Sequence, residues 1–263
     1  MLKKRNQIDL DGSIELLANG IARYSLTKFG KVDLEAIAYS NSITFSYGDY
    51  GNSFDGLLEC RNSKFHIYIN NSGNSGRDRF TFGHELGHYF IPEHNYALIN
   101  GFAPAHCSLT GFKSDELIER QADFFASNLL LPKDDLLQIY RSERKFKFET
   151  IVRIQTYFEV SLQAALYRVF FLNLHPLMLI KSENSKIIGK PVFNDSFFLK
   201  LNDKDSIPKD SLAYQIIKSG NYSDKTKELW KMDWFDTESH GKMFERCLYT
   251  NFNNQIISVL WTD

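Results

Sequence analysis

The sequence predicts an α+β fold: a helix-rich core with a small antiparallel sheet, then a smaller α/β C-terminal unit. Three observations carry this. Apolar residues recur at helical spacing through much of residues 13–172. Three β-rich runs separated by Gly, Asn and Ser interrupt them between 43 and 69. Beyond Pro176 the pattern turns strand-like again. Domains are therefore expected at 1–172 and 173–263.

Each element has its own signal. Ile14, Leu17, Ile21 and Tyr24 form a stripe that predicts a helix over 13–29, and a shorter helix is expected over 33–40. The runs 43–47, 54–60 and 65–69 then read as strands. Asn70–Gly76 is loop, and a helix follows over 77–91, stopped by Pro92. A loop of about twenty residues is expected next, a length usually tied to function. A further helix spans 114–131, with Ser114 as N-cap, Asp115 and Glu116 in the first turn and Pro132 beyond its end. Helices at 134–141, 148–157 and 161–172 complete the first domain. The second has strands at 177–181 and 187–188, a helix at 211–218, and a hairpin of 247–249 with 256–261 turning at Asn253-Asn254. Trp230, Trp234 and Trp261 read as its core.

Composition excludes several classes. The 263 residues are 43% hydrophobic and 24% charged, as in an ordinary globular chain. Lys and Arg total 31 against 32 Asp and Glu, so no overall basic field attracts nucleic acid or an anionic membrane. No apolar stretch approaches the roughly 20 residues of a membrane helix. The basic Met1–Gln7 has no apolar run behind it, which argues against a secretory signal. Cys60, Cys107 and Cys247 are odd in number and far apart, so no disulfide framework is expected and the reducing cytoplasm is the expected home.

Residues 84–88 read His-Glu-Leu-Gly-His, an H-E-x-x-H motif. On a helix, positions i and i+4 share a face, so His84 and His88 can bind one metal ion at about 2.0–2.1 Å each. Glu85 can lie beside a water that zinc acidifies and act as its general base. Gly87 costs about 1 kcal/mol against Ala inside a helix, but it permits close approach of another backbone.

A catalytic zinc usually keeps three protein ligands. Glu119, on a separate helix, is the candidate third. Asp123, one turn further, could accept a hydrogen bond from the non-ligating nitrogen of a zinc histidine. The alternative is that both carboxylates form the wet stripe of an amphipathic helix. Their apolar surroundings, Leu117 to Leu131, make unpaired carboxylates expensive there. Mn²⁺ or Fe²⁺ could also occupy a two-His, one-carboxylate site.

Several segments together resemble the ImmA/IrrE family of metallopeptidases: Val32–Ala38, Asp55–Leu58, Arg79–Tyr89 around the motif, Glu119–Ala126 with Leu129–Pro132, and Phe158–Arg168. The resemblance covers roughly residues 13–172. It implies a zincin-like, gluzincin-type fold with His84, His88 and Glu119 as zinc ligands and Glu85 as catalytic acid/base. The family often has Asn where this chain has Asp123. The resemblance further implies a sheet edge beside the metal helix where an extended substrate can add as a strand. It also implies a helix-turn-helix repressor as the protein substrate, in transcription regulation or a stress response. Some members carry a helix-turn-helix domain at the N-terminus. Residue 13 comes too early for one here, so the partner is expected to be a separate polypeptide.

Weaker signals remain. Cys107, between the two metal helices, could take the open zinc position as a regulatory thiolate, though a loop thiol with no role is the plainer reading. Tyr89, Tyr96, His94, His106 and Arg168 are candidates to stabilise an oxyanion. Only Gln163, Tyr167 and Arg168 on the 161–172 helix could contact DNA, too few for a recognition helix. His66 and His175 read as structural. Two alternatives stand beside the peptidase: a metal-containing module that binds a repressor or antitoxin-like partner without cutting it, and a direct DNA-binding regulator.

Overall fold

The fold is α+β, seen in a computed structural model that describes residues 2–27, 30–51, 53–101, 106–108, 117–141, 145–189, 192–193, 200–238, 240–250 and 255–262, with the side chains of 2–11, 106–108 and 250 left aside. The chain divides into two compact units, 1–142 with 152–165, and 143–151 with 166–263. The expected boundary at 172/173 lies inside the second.

In the first unit, helix α1 (Leu2–Ser25) starts well before the apolar stripe that predicts it. Its buried face is Ile14, Ala18 and Ala22. Helix α2 (Leu34–Ser40) is capped by Asp33, whose side chain accepts from the Ala36 N–H. Strands β1 (Thr44–Gly48), β2 (Gly56–Arg61) and β3 (Lys64–Asn70) lead into helix α3 (Ser75–Phe90). Asn74 caps α3 through the Arg77 N–H.

Pro92 does more than stop α3. It opens a further helix, α4 (Pro92–Ile99), at the first position, where its missing N–H costs nothing. The expected long loop therefore begins with a helix. It also contains strand β4 (His106–Ser108), ahead of helices α5 (Leu117–Leu130) and α6 (Lys133–Tyr140). Ser114, Asp115 and Glu116, the expected start of α5, lie outside the described residues. Helices α7 (Phe148–Phe158) and α8 (Leu162–Phe171) follow.

The sheet of the first unit has the order β1-β3-β2-β4. Strands β2, β3 and β4 run antiparallel, and β1 joins β3 in parallel, with Thr44 opposite His66. Its inner face is Leu58, Ile67 and Ile69, all fully buried. Phe45 and Tyr47 meet Phe82 of α3 at ring distances of 5.2 and 6.3 Å. On the other face His66 sits between the hydroxyls of Thr44 (2.7 Å) and Ser46 (3.0 Å), a structural setting.

The second unit contains strands β5 (Leu177–Glu183), β6 (Lys186–Ile187), β7 (Val192–Phe193), β8 (Lys227–Trp230), β9 (Lys242–Thr250) and β10 (Gln255–Thr262), with helices α9 (Leu212–Ser219) and α10 (Lys231–Trp234). The order is β6-β5-β10-β9-β8, with β7 on β5, all antiparallel. Met178, Ile180, Met243, Ile256 and Leu260 on one sheet face pack with Leu212 and Ile216 of α9 and with Trp234 and Phe235. Trp234 and Trp261 are core, whereas Trp230 is half exposed. The expected turn at Asn253-Asn254 lies outside the described residues.

One charged side chain sits in that core. Glu245 is fully buried and accepts from the backbone N–H groups of Leu212 (2.6 Å) and Ala213 (3.2 Å) and from the Ser258 hydroxyl (2.8 Å). It thereby closes the start of α9, which Ser211 also caps through the Tyr214 N–H. Burial raises its pKa above the usual 4.5, against the pull of those N–H and O–H donors. Among the described residues no helix is long and apolar enough to cross a membrane.

Candidate metal centre

Helices α3 and α5 carry the site, and glycine sets their spacing. A Cβ on Gly87 would meet the Cα and carbonyl oxygen of Ala122 and the ring of Phe125, each at 3.2 Å. One turn earlier, a Cβ on Gly83 would meet that of Ala126 at 3.4 Å. The glycines and alanines, each four residues apart, thus form a seam along which the two helix backbones approach. The positional expense of a mid-helix glycine is recovered in that approach.

Across this seam three side chains converge. His84 Nε2 lies 3.0 Å from His88 Nε2 and 3.2 Å from Glu119 Oε2, and His88 Nε2 lies 3.6 Å from Glu119 Oε1. His84 and His88 are buried and Glu119 nearly so. Ligands at 2.0–2.1 Å around a tetrahedral ion stand about 3.3–3.4 Å apart. The observed separations bracket that value, so these three groups could hold a metal ion.

The protonation pattern fits as well. Asp123 Oδ1 lies 2.8 Å from His84 Nδ1. A carboxylate accepts, so Nδ1 carries the hydrogen, and in the neutral ring the Nε2 lone pair faces His88 and Glu119. Burial disfavours a charged His84. The hydrogen bonds of Asp123 and Glu119 and the charge of Glu85 outweigh it, and the pKa is pushed up to about 10. The three carboxylates that raise it, Asp123, Glu119 and Glu85, are the charges that a cation at this place would meet. Glu85 itself is fully buried on α3 beside His84.

The other expected residues fall elsewhere. Tyr89 packs edge-on against Phe65 and donates its hydroxyl to the Asn41 carbonyl at 3.5 Å. Tyr96 is exposed on α4, and Arg168 is buried in the second unit. Cys107 is placed by its backbone, opposite Leu57 on the β2–β4 ladder. Its sulfur and the His106 ring lie outside the described atoms. His94 is buried, with its ring 5.1 Å from that of His88 and its Nε2 3.0 Å from Gln121 Oε1. Gln121 was not legible as a site neighbour. Its one signal was an amide among the apolar residues of α5.

Residues 50–170 match the Peptidase_M78 family, described as the IrrE N-terminal-like domain. A solved structure of a Mycobacterium tuberculosis transcriptional regulator is similar over 95% of this chain and 76% of its own, with a TM-score of 0.61 and 9% identity, a likeness of fold. No curated protein matches the chain. Residues 50–170 contain α3 and α5 with both histidines, Glu85 and Glu119, so the segment that is similar to the IrrE N-terminal-like domain of the Peptidase_M78 family holds the whole candidate centre.

Proposed function

We propose that the chain is a zinc-dependent metalloendopeptidase acting on a protein substrate, with His84, His88 and Glu119 as metal ligands and Glu85 as general base. The observation that carries this is the convergence of the three groups at separations of 3.0 to 3.6 Å beside a buried glutamate. A divalent cation there supplies the Lewis acidity that polarises a scissile carbonyl and acidifies water.

The chain's own residues do the rest. Asp123 fixes the His84 ring and its tautomer. Glu85 takes the proton of the attacking water and delivers it to the leaving amine, which balances the hydrolysis without a further acid. The substrate we propose is a helix-turn-helix repressor or antitoxin-like partner, on a separate polypeptide, in a regulatory or stress response. That choice follows the ImmA/IrrE resemblance.

The test is elemental analysis of the purified protein together with incubation against candidate repressors from the same genome neighbourhood. Zinc at one equivalent and cleavage that stops on chelation support the reading. Metal-dependent complex formation without cleavage, even at stoichiometric partner, would replace it with the binding module. Salt-sensitive binding of duplex DNA by the chain alone would replace it with the DNA-binding regulator.

A further inference from the structure

We infer that His94 and Gln121, neither of them a ligand, form a positioning clamp that fixes His88 against the Glu119 helix; the inference rests on the metal-site reading above. Helix α3 ends at Phe90 and α4 begins at Pro92, with Ile91 alone between them. This corner is tight enough to bring His94, six residues after His88, alongside its ring, at 5.1 Å between centroids and 36° between planes.

Two side-chain bonds hold the corner. Asn95 Nδ2 donates to the Tyr89 carbonyl at 2.8 Å and ties α4 to the last turn of α3. His94 Nε2 and Gln121 Oε1, 3.0 Å apart, tie α4 to α5 two residues beyond Glu119. The amide oxygen accepts, so His94 carries its hydrogen on Nε2. The two ligand-bearing helices are thus joined both along the glycine seam and, through α4, by this hydrogen bond.

The chemistry distinguishes a clamp from filler. His94 is 4% exposed and Gln121 9%. Two polar groups at such burial are costly unless they satisfy each other, and an apolar pair of the same shape would close the corner equally well. What a hydrogen-bonded imidazole adds is a fixed ring orientation beside His88. A hydrogen bond made directly to a metal ligand typically governs affinity by about 10–100-fold, and a ring held against the ligand is expected at the low end of that range.

The experiment titrates the full chain with Co²⁺ against a competing chelator, records the ligand-field absorption, and melts each metal-free variant. His94→Phe keeps a ring but loses the donor. Gln121→Leu loses the acceptor, and Gln121→Glu keeps it. The clamp requires His94→Phe and Gln121→Leu to weaken Co²⁺ binding about ten-fold or more. It also requires shifted absorption bands, a loss of affinity larger than the loss of metal-free stability accounts for, and recovery of both readouts in Gln121→Glu. Parent-like affinity and spectrum in His94→Phe and Gln121→Leu would overturn it. So would a loss of affinity that merely follows a loss of metal-free stability and is not recovered by Gln121→Glu. If the parent chain itself takes up no Co²⁺, the metal-site reading falls and the clamp with it, an outcome the variants cannot imitate.

Discussion

Asp123 Oδ1 stands 2.8 Å from His84 Nδ1, so a carboxylate whose side chain is 53% exposed orients a ring that is 6% exposed. Asp123→Ala should therefore lower metal affinity by about 10–100-fold while leaving the three ligands in place. Asp123→Asn should lose less, because its amide oxygen still accepts. Chelator competition on the two variants measures the difference. Equal affinity in all three proteins would remove Asp123 from the site.

Glu85→Gln keeps the size of the side chain and removes its basicity. The variant should bind metal like the parent and lose about 10²–10⁴ in kcat for whichever protein the parent cleaves. Single-turnover assays with the metal content measured alongside separate loss of chemistry from loss of metal.

The glycines of α3 should respond in opposite ways. Gly87→Ala drives a Cβ into the Ala122 backbone at 3.2 Å, so the helices must part. A cost of about 1–3 kcal/mol is expected, with weaker metal binding as Glu119 withdraws. Gly83→Ala makes only ordinary van der Waals contacts, the nearest with the Ala126 methyl at 3.4 Å, and gains helix propensity. It should be neutral, or stabilising by up to about 1 kcal/mol. Urea unfolding of the two variants checks the contrast.

Glu245 gives a pH signature in the second unit. Its folded pKa is raised above 4.5, so the folded state holds the proton more tightly than the unfolded chain does. Stability from this group is complete below about 4.5 and declines as pH rises through the folded value. Glu245→Gln removes the titration. The melting temperature of the parent minus that of the variant should therefore fall between pH 4 and pH 8. A flat difference would show that the buried carboxyl does not titrate in that window.

How much of this could be read from residues alone follows from range. The motif helix was legible because spacing within α3 is local chemistry, and Glu119 because a carboxylate among Leu and Phe demands a reason. The approach at Gly87 followed from the expense of a mid-helix glycine. Pro92 was read only as a stop, since the same residue ends one helix and opens the next, and α4 was lost with it. The parallel pairing of β1 with β3 and the arrival of Glu245 under α9, some thirty residues away in sequence, depend on tertiary partners. A strand's alternation does not name its neighbour, and a glutamate in β9 carries no local mark that its acceptor role lies on a distant helix.

The glycine–alanine seam also limits how the gene can drift. Glu119 and Ala122 share one helix, and each residue of a helix turns the chain by about 100°. One codon inserted or deleted between them would swing the carboxylate off the two imidazoles even if the seam re-formed perfectly. A length change within that single turn should thus be lethal to the centre.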